Sequence, residues 1–230
     1  MVKVIYEDKN LIAVNKEAGV LVHSVMGRGE EPTLTKELLK KYPEVKGVGD
    51  SPERPGIVHR LDKDTSGVLL VARNQKFFEY LKDLFQKHEV QKRYLALVCG
   101  KIAKKHGIID KPISIKSGTV RRTVYEGRMT KKAVTEYKVL KIIKKDGQSF
   151  SLIRVMPKTG RTHQIRIHLA SIGCPIVGDK LYGKKDNPWQ LTRQFLHAES
   201  VEFSLKTGER IKIEADLPDE LKKVILDVHE

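Results

Sequence analysis

"RPGIVHRLDKDTSGVLLVAR", residues 54–73, sets an aspartate, Asp62, between the apolar patches Ile57–Val58 and Val68–Leu69–Leu70–Val71. Arg60 stands two residues before it and Lys63 directly after. Carboxylates ordinarily stay on solvated faces. One held between two apolar, strand-like stretches is either a paired structural charge or a reactive group. The right-hand flank sets the local fold. Val68–Ala72 reads as a buried strand, and Phe77, Leu81, Leu84 and Phe85 recur at helical offsets, so Asn74–His88 reads as an amphipathic helix.

Outward from there, Val2–Tyr6 and Leu11–Asn15 read as strands joined by the turn "EDKN". "PTLTKELLKKY" reads as a helix capped near Thr33, with Leu34, Leu38 and Leu39 on one face. "GVGDSPERPG" is a turn-rich connection into the Asp62 segment. "KRYLALVCG" is a further buried strand. "AVTEYKVLKII", "SFSLIRVMP", "FLHAESVEFSL" and "RIKIEA" alternate like antiparallel strands, and "PDELKKVIL" closes as a short helix. With no internal repeat and no clear linker, residues 1–230 are expected to form one α+β domain. Its centre is expected to be a mixed, mostly antiparallel sheet with flanking helices and loops around one cleft.

The 230 residues carry 44 Lys and Arg against 29 Asp and Glu, a net charge of +15. That imbalance points to a polyanionic partner, most often nucleic acid. It is also uneven: Lys101–Lys132 holds ten basic residues and two acids, Asp110 and Glu126. Gly107, Gly118 and Gly127 fall in the same stretch, as expected of basic loops that mould onto phosphates. Apolar runs such as Val68–Ala72 are far too short to span a bilayer, so no membrane partner is expected. The N-terminus alternates like a strand and lacks a signal-peptide core. Cys99 and Cys174 make neither a disulfide framework nor a zinc site. A cytoplasmic monomer is the simplest expectation.

A second segment, "GRTHQIRIHLASIGCPIVGD" from Gly160, also brings polar groups against apolar ones. Thr162 is placed to cap a helix that runs to Ile172, with Gly173 as the left-handed stop and Pro175 beyond it. Ile165, Leu169 and Ile172 form the expected buried face. Arg166 then sits on a rigid element, and a pairing with Asp62 would hold that carboxylate ionised. An ordinary structural Arg–Asp pair is the competing interpretation. A metal site built from His59, His163, His168, Asp62 and Asp64 is disfavoured. His163 and His168 are five apart where a zinc-binding helical pair is four apart, and Arg60 and Lys63 compete for the carboxylates. Ser66 has no nucleophile-elbow context.

Taken together, "VIYEDKNLIAVNKEAGVLVH", "GIVHRLDKDTSGVLLVARN", "KRYLALVCGKI", "IIDKPI", "AVTEYKVL" and "GRTHQIRIHLASIGCPIVGDKLYG" resemble the RluA-type pseudouridine synthases. The matches run in family order to about Gly183. The resemblance implies that Asp62 is the catalytic aspartate, Arg166 the arginine paired with it, and Tyr94 the tyrosine that packs on the target base. Arg60 is then the arginine that fills the gap left by the extruded base. Ile165 and Ile167 help line the pocket. Apart from the resemblance, His59 and Thr65 of the Asp62 motif and Arg121 and Arg122 of the basic stretch are further expected substrate contacts. Glu17 departs from the family's proline, and the small N-terminal RNA-binding module of several members is not expected here. The implied activity is conversion of uridine to pseudouridine in ribosomal or transfer RNA. It is an internal rearrangement with no redox step, so neither cofactor nor metal is expected. A flipped base on an aromatic face fits that chemistry. Two alternatives are a non-catalytic RNA-binding module and a metal-dependent phosphohydrolase using Asp62 and Asp64.

Overall fold

The computed structural model describes residues 2–24, 31–116, 119, 121–183 and 186–227. Its strands begin with β1 (Val4–Glu7), β2 (Leu11–Lys16), β3 (Ser66–Ala72), β4 (Gln91–Cys99), β5 (His106–Asp110) and β6 (Ile113–Ile115). They continue with β7 (Arg122–Thr123), β8 (Arg128–Lys131), β9 (Val134–Lys145), β10 (Gln148–Pro157), β11 (Leu196–Ser204) and β12 (Arg210–Glu214). The helices are α1 (Leu34–Lys41), α2 (Gln75–Gln86), α3 (Gln164–Ser171) and α4 (Asp219–Leu226). The architecture is α+β with mostly antiparallel strands, as expected. The chain falls into two compact units, Met1–Gln91 with Ala198–Asp216, and Lys92–His197 with Leu217–Glu230.

In the first unit the strand order is β1-β2-β3-β11, with β12 on β11. The β1–β2 turn forms because the Asp8 carboxylate accepts from the Asn10 and Leu11 amides at 2.7 and 2.8 Å, a local bond available to Asp without distant help. All seven residues of β3 are buried, which explains its unbroken apolar run. Thr33 caps α1 through its hydroxyl, and the Asn74 side chain caps α2 by accepting from the Phe77 amide at 3.0 Å. Phe78, Leu81 and Leu84 form the buried stripe of α2. Ile57 makes one bridge to Val71 instead of opening a second strand. The chain turns there at Gly56, which has a φ of +68°.

In the second unit the order is β4-β10-β9-β5, all antiparallel, beside a three-stranded sheet β7-β6-β8. Its core gathers Leu97 and Val98 of β4, Phe150 and Ile153 of β10, Leu169 of α3, and Val177 and Phe195. The basic stretch differs from expectation: much of it is strand. Gly107 lies inside β5 and Gly127 just before β8, whereas Gly118 falls outside the described residues. Helix α3 is also shorter than expected, and Ile172 is exposed at 37% while Ile167 is buried at 4%. Among the described residues, no helix is long and apolar enough to cross a membrane.

Candidate active site

The Asp62 segment is built from fixed backbone on both sides. Upstream, His59 Nε2 accepts from the Leu70 amide of β3 at 2.9 Å, and the ring stacks on Phe85 with centroids 4.8 Å apart. An accepting Nε2 requires the imidazole to be neutral with its proton on Nδ1. Downstream, the Thr65 amide donates to the Asp62 carbonyl at 3.1 Å and closes a tight turn. The Lys63 carbonyl accepts from the Gly19 amide and from Lys16 Nζ, both at 2.9 Å. Leu61, Thr65 and Ser66 are buried, whereas Asp62 is half-buried and Arg60 exposed. Gly67 completes the motif with a φ of +117°, and a Cβ there would lie 2.2 Å from the Ala198 carbonyl oxygen. Only glycine permits that approach of β3 to β11.

Lys16 was not anticipated. It is 1% exposed, and its ammonium also donates to the carbonyls of Glu17 and Val20 at 2.7 and 2.8 Å. Lys16 thereby ties the β2 turn to the residue after Asp62. Replacing Lys16 with Met strips a buried donor from three carbonyls, those of Glu17, Val20 and Lys63. An unmade buried bond costs about 1–3 kcal/mol, so Lys16→Met is expected to lose roughly 3 kcal/mol in urea unfolding. Wild-type stability would refute this anchoring role. A second unforeseen group, His23, is held below the usual histidine range by burial first, then by the charges of Arg60 and Arg54.

In the second unit α3 starts differently from the expected Thr162 cap. His163 occupies the cap position in the left-handed conformation, φ 56°. The buried Gln164 amide does the anchoring. Its oxygen accepts from Thr159 Oγ1 at 2.6 Å and from the Arg161 amide at 3.0 Å. Its nitrogen donates to the Val134 carbonyl and to Thr135 Oγ1, at 3.0 and 2.9 Å. His168, fully buried, bonds Thr135 Oγ1 and the Lys111 carbonyl at 2.8 and 2.9 Å. Burial pushes its imidazole below the usual range. Gln164 and His168 therefore clamp α3 onto β9.

That clamp fixes Arg166. Its Nε and Nη2 donate to the two carboxylate oxygens of Asp179 at 2.7 and 2.8 Å, and its guanidinium lies 5.3 Å from the Tyr182 ring. Sequence reasoning missed Asp179 as a partner. Its side chain has no exposure. Burial pushes the carboxyl up, but Arg166 and the Leu181 and Tyr182 amides outweigh it, and the net shift is downward. Gly178, φ +76°, lets the chain pass the Arg193 carbonyl immediately before Asp179. His163 Nδ1 lies 3.1 Å from the Tyr182 hydroxyl. Tyr94 is half-buried on β4 opposite Val155. Ile165 packs in the core of this unit and Ile167 with Ile113 and Ala133. Arg122 lies on β7, opposite Ile115, with Arg121 exposed beside it. The structure thus groups Arg166, Tyr94, Ile165 and Ile167 in the second unit, and Asp62, Arg60, His59 and Thr65 in the first. Among the described residues, no group of three or more His, Cys, Asp or Glu is arranged to hold a metal ion.

A match to the RNA pseudouridylate synthase family covers residues 10–171, more than half of the chain. The chain is 38% identical over 221 residues to an uncharacterized RNA pseudouridine synthase of Bacillus subtilis, YlyB, covering 96% of this chain and 70% of that protein. It is 38% identical over 237 residues to ribosomal large subunit pseudouridine synthase D of Nitrosomonas europaea, covering 97% of this chain and 64% of the other. The solved structure of human RNA pseudouridylate synthase domain containing 1 superposes with a TM-score of 0.76 at 28% identity, over 95% of this chain and 84% of that one. The chain spans about two thirds of the length of the two bacterial relatives. Fold and relatives both place it among RNA-modifying enzymes. The chain belongs to the RNA pseudouridylate synthase family, a family of isomerases.

Proposed function

We propose that this protein converts uridines of ribosomal RNA to pseudouridine, with Asp62 as the reacting carboxylate. The observation that carries this reading is the family match spanning the Asp62 and Arg166 motifs, joined to relatives named for the large ribosomal subunit. The reaction breaks the bond between N1 of the base and the ribose, turns the ring, and rejoins it through C5. The C5 proton is lost and N1 gains one, so atoms and charge balance without a co-reactant. Asp62 serves as nucleophile or base, and either role needs it ionised. A stacked uridine is out of reach, so the base is flipped, Tyr94 offers it an aromatic face, and Arg60 occupies the space it leaves. Arg166 supplies positive charge to the same chemistry. His59, with Nε2 engaged by the backbone, acts by holding the motif in place, and Thr65, Ile165 and Ile167 shape it.

The test is pseudouridine mapping on large-subunit ribosomal RNA and on transfer RNA treated with the purified protein in chelator. Modification of ribosomal RNA is the expected result. Modification confined to transfer RNA would reassign the substrate, and none in either RNA would overturn the reading.

The basic strands give a separate expectation. Arg121 and Arg122, beside β6, are proposed to neutralise RNA phosphates. Arg121→Glu with Arg122→Glu should weaken RNA binding and lower the log–log salt slope by about 1.4, at roughly 0.7 per phosphate on single strands. Single-turnover rate at saturating RNA should change little. Equal slopes in wild type and variant would place the RNA elsewhere.

A further inference from the structure

Within the second unit, Arg166 has a neighbour besides Asp179 that touches every part of their arrangement. The Tyr182 amide donates to Asp179 Oδ1 at 3.1 Å, and the Arg166 guanidinium lies over the Tyr182 ring, 5.3 Å from its centroid. The Tyr182 hydroxyl lies 3.1 Å from Nδ1 of His163, the cap residue of α3. Those two rings meet edge to face, with centroids 5.7 Å apart. Tyr182 also packs against the cluster of Ile113, Ala133 and Ile167. Carboxylate, guanidinium and helix start thus meet at one half-buried side chain.

Tyr182 is held there from both ends. On the backbone side, the Gly183 amide donates to the Asp179 carbonyl at 2.9 Å and closes the turn directly after the tyrosine. A Cβ at Gly183 would lie 2.2 Å from that carbonyl oxygen, so only glycine lets the turn close this tightly. At the far end of the ring, the hydroxyl meets His163, whose backbone is left-handed with a φ of 56°. A residue other than glycine keeps that conformation only where its surroundings impose it. Filling space would need the ring but not the hydroxyl contact.

We infer that Tyr182 is a positioning residue for Arg166, holding the guanidinium in the orientation that the reaction uses. The two bonds to Asp179 fix the fork within its own plane, but a bidentate pair can still hinge about the line of those bonds. An aromatic face beside the cation opposes that hinge, and the attraction between the cation and the ring's negative face reinforces it. The inference rests on the proposed function for the part Arg166 plays in catalysis. The coupling of Tyr182 to Arg166 is a property of this unit alone. Tyr182 acts through the arginine and needs no contact with RNA.

The test is a double-mutant cycle on single-turnover rate at saturating RNA, with thermal unfolding to confirm that each variant folds. Tyr182→Leu is expected to slow the reaction about tenfold, on the scale of a partly desolvated cation–aromatic contact, with RNA affinity within about twofold of wild type. Tyr182→Phe keeps the ring and should stay within about threefold. In an Arg166→Lys background, where a point charge has no fork to orient, Tyr182→Leu should cost at most about threefold. Equal losses in the two backgrounds would overturn the inference, as would a wild-type rate for Tyr182→Leu. Tyr182→Phe as slow as Tyr182→Leu would remove the ring from the account. A fall in affinity in place of rate would make Tyr182 an RNA contact instead. Proton exchange at Arg166 Nε–H, followed by NMR in the free protein, needs no turnover. It should quicken about tenfold in Tyr182→Leu and little in Tyr182→Phe, as expected when one restraint on a hydrogen-bonded group is lost. Unchanged exchange in Tyr182→Leu would overturn the inference. Quickened exchange in a protein whose wild type forms no pseudouridine would support the coupling and count against the isomerase reading.

Discussion

Asp62→Asn is expected to reduce single-turnover pseudouridine formation at saturating RNA by at least about 10⁴-fold, the scale on which a lone reacting group is lost. Asparagine keeps the shape and removes the charge, so neither attack nor proton abstraction survives. Folding should be nearly untouched. The turn around Asp62 is held by backbone groups, namely the Asp62 carbonyl to Thr65 and the Lys63 carbonyl to Gly19 and Lys16, which the substitution leaves in place. A change in stability within about 1 kcal/mol is anticipated for a half-buried polar exchange of this kind. Asp64→Asn is the control and should be mild. Retention of more than about a tenth of wild-type turnover by Asp62→Asn would exclude the mechanism proposed.

The parts of this molecule that could be read from sequence are those set by neighbours in sequence. Asn74 caps α2 through a bond to a residue three positions on, and Asp8 makes the β1–β2 turn within three residues. Strand β3 announces itself because every residue in it is buried. The start of α3 was misread for the opposite reason. Thr162 satisfies the local capping rule, but Gln164 reaches Val134 and Thr135, about thirty positions away, and those bonds fix the entry with His163 left-handed. Lys16 carries no local signal either, since it binds the carbonyl of Lys63, 47 positions further along. The charge of residues 101–132 was plain, but β8 is exposed at all four residues, so no alternation marked it as a strand.

The same distinction explains why Arg166 could be singled out and its nearest carboxylate could not. A guanidinium amid the apolar residues of α3 is conspicuous, whereas Asp179 lies thirteen positions away in a turn with no periodicity. Its role is to hold the planar fork in one orientation by two parallel bonds, an arrangement with more directional strength than a single point contact. With Gln164 and His168 fixing the helix and Asp179 fixing the side chain, Arg166 has little freedom left in either. That rigidity is what the proposed role of Arg166 requires, a fixed charge that does not rearrange during the reaction.

Asp179→Asn should therefore harm both stability and turnover. The pair is buried, with Arg166 at 7% and Asp179 at 0% side-chain exposure, and breaking such a pair typically costs about 3–5 kcal/mol. The amide also sets an N–H group against the arginine fork, where only an acceptor fits. Turnover should fall at least about tenfold as Arg166 loses its fixed direction. The acid limb of stability gives an independent readout. Asp179 titrates below its ordinary value in the folded protein, so its contribution is fully present above the unfolded carboxylate pKa and is lost as pH falls through the depressed one. Asp179→Asn should flatten that limb. A double variant, Arg166→Leu with Asp179→Leu, separates the two roles, since replacing both charges by apolar groups is often neutral for stability. It should regain much of the lost stability in urea unfolding and none of the activity. Full activity in that double variant would show that Arg166 takes no part in the reaction, and wild-type stability of Asp179→Asn would show that the pair does not hold α3 in place.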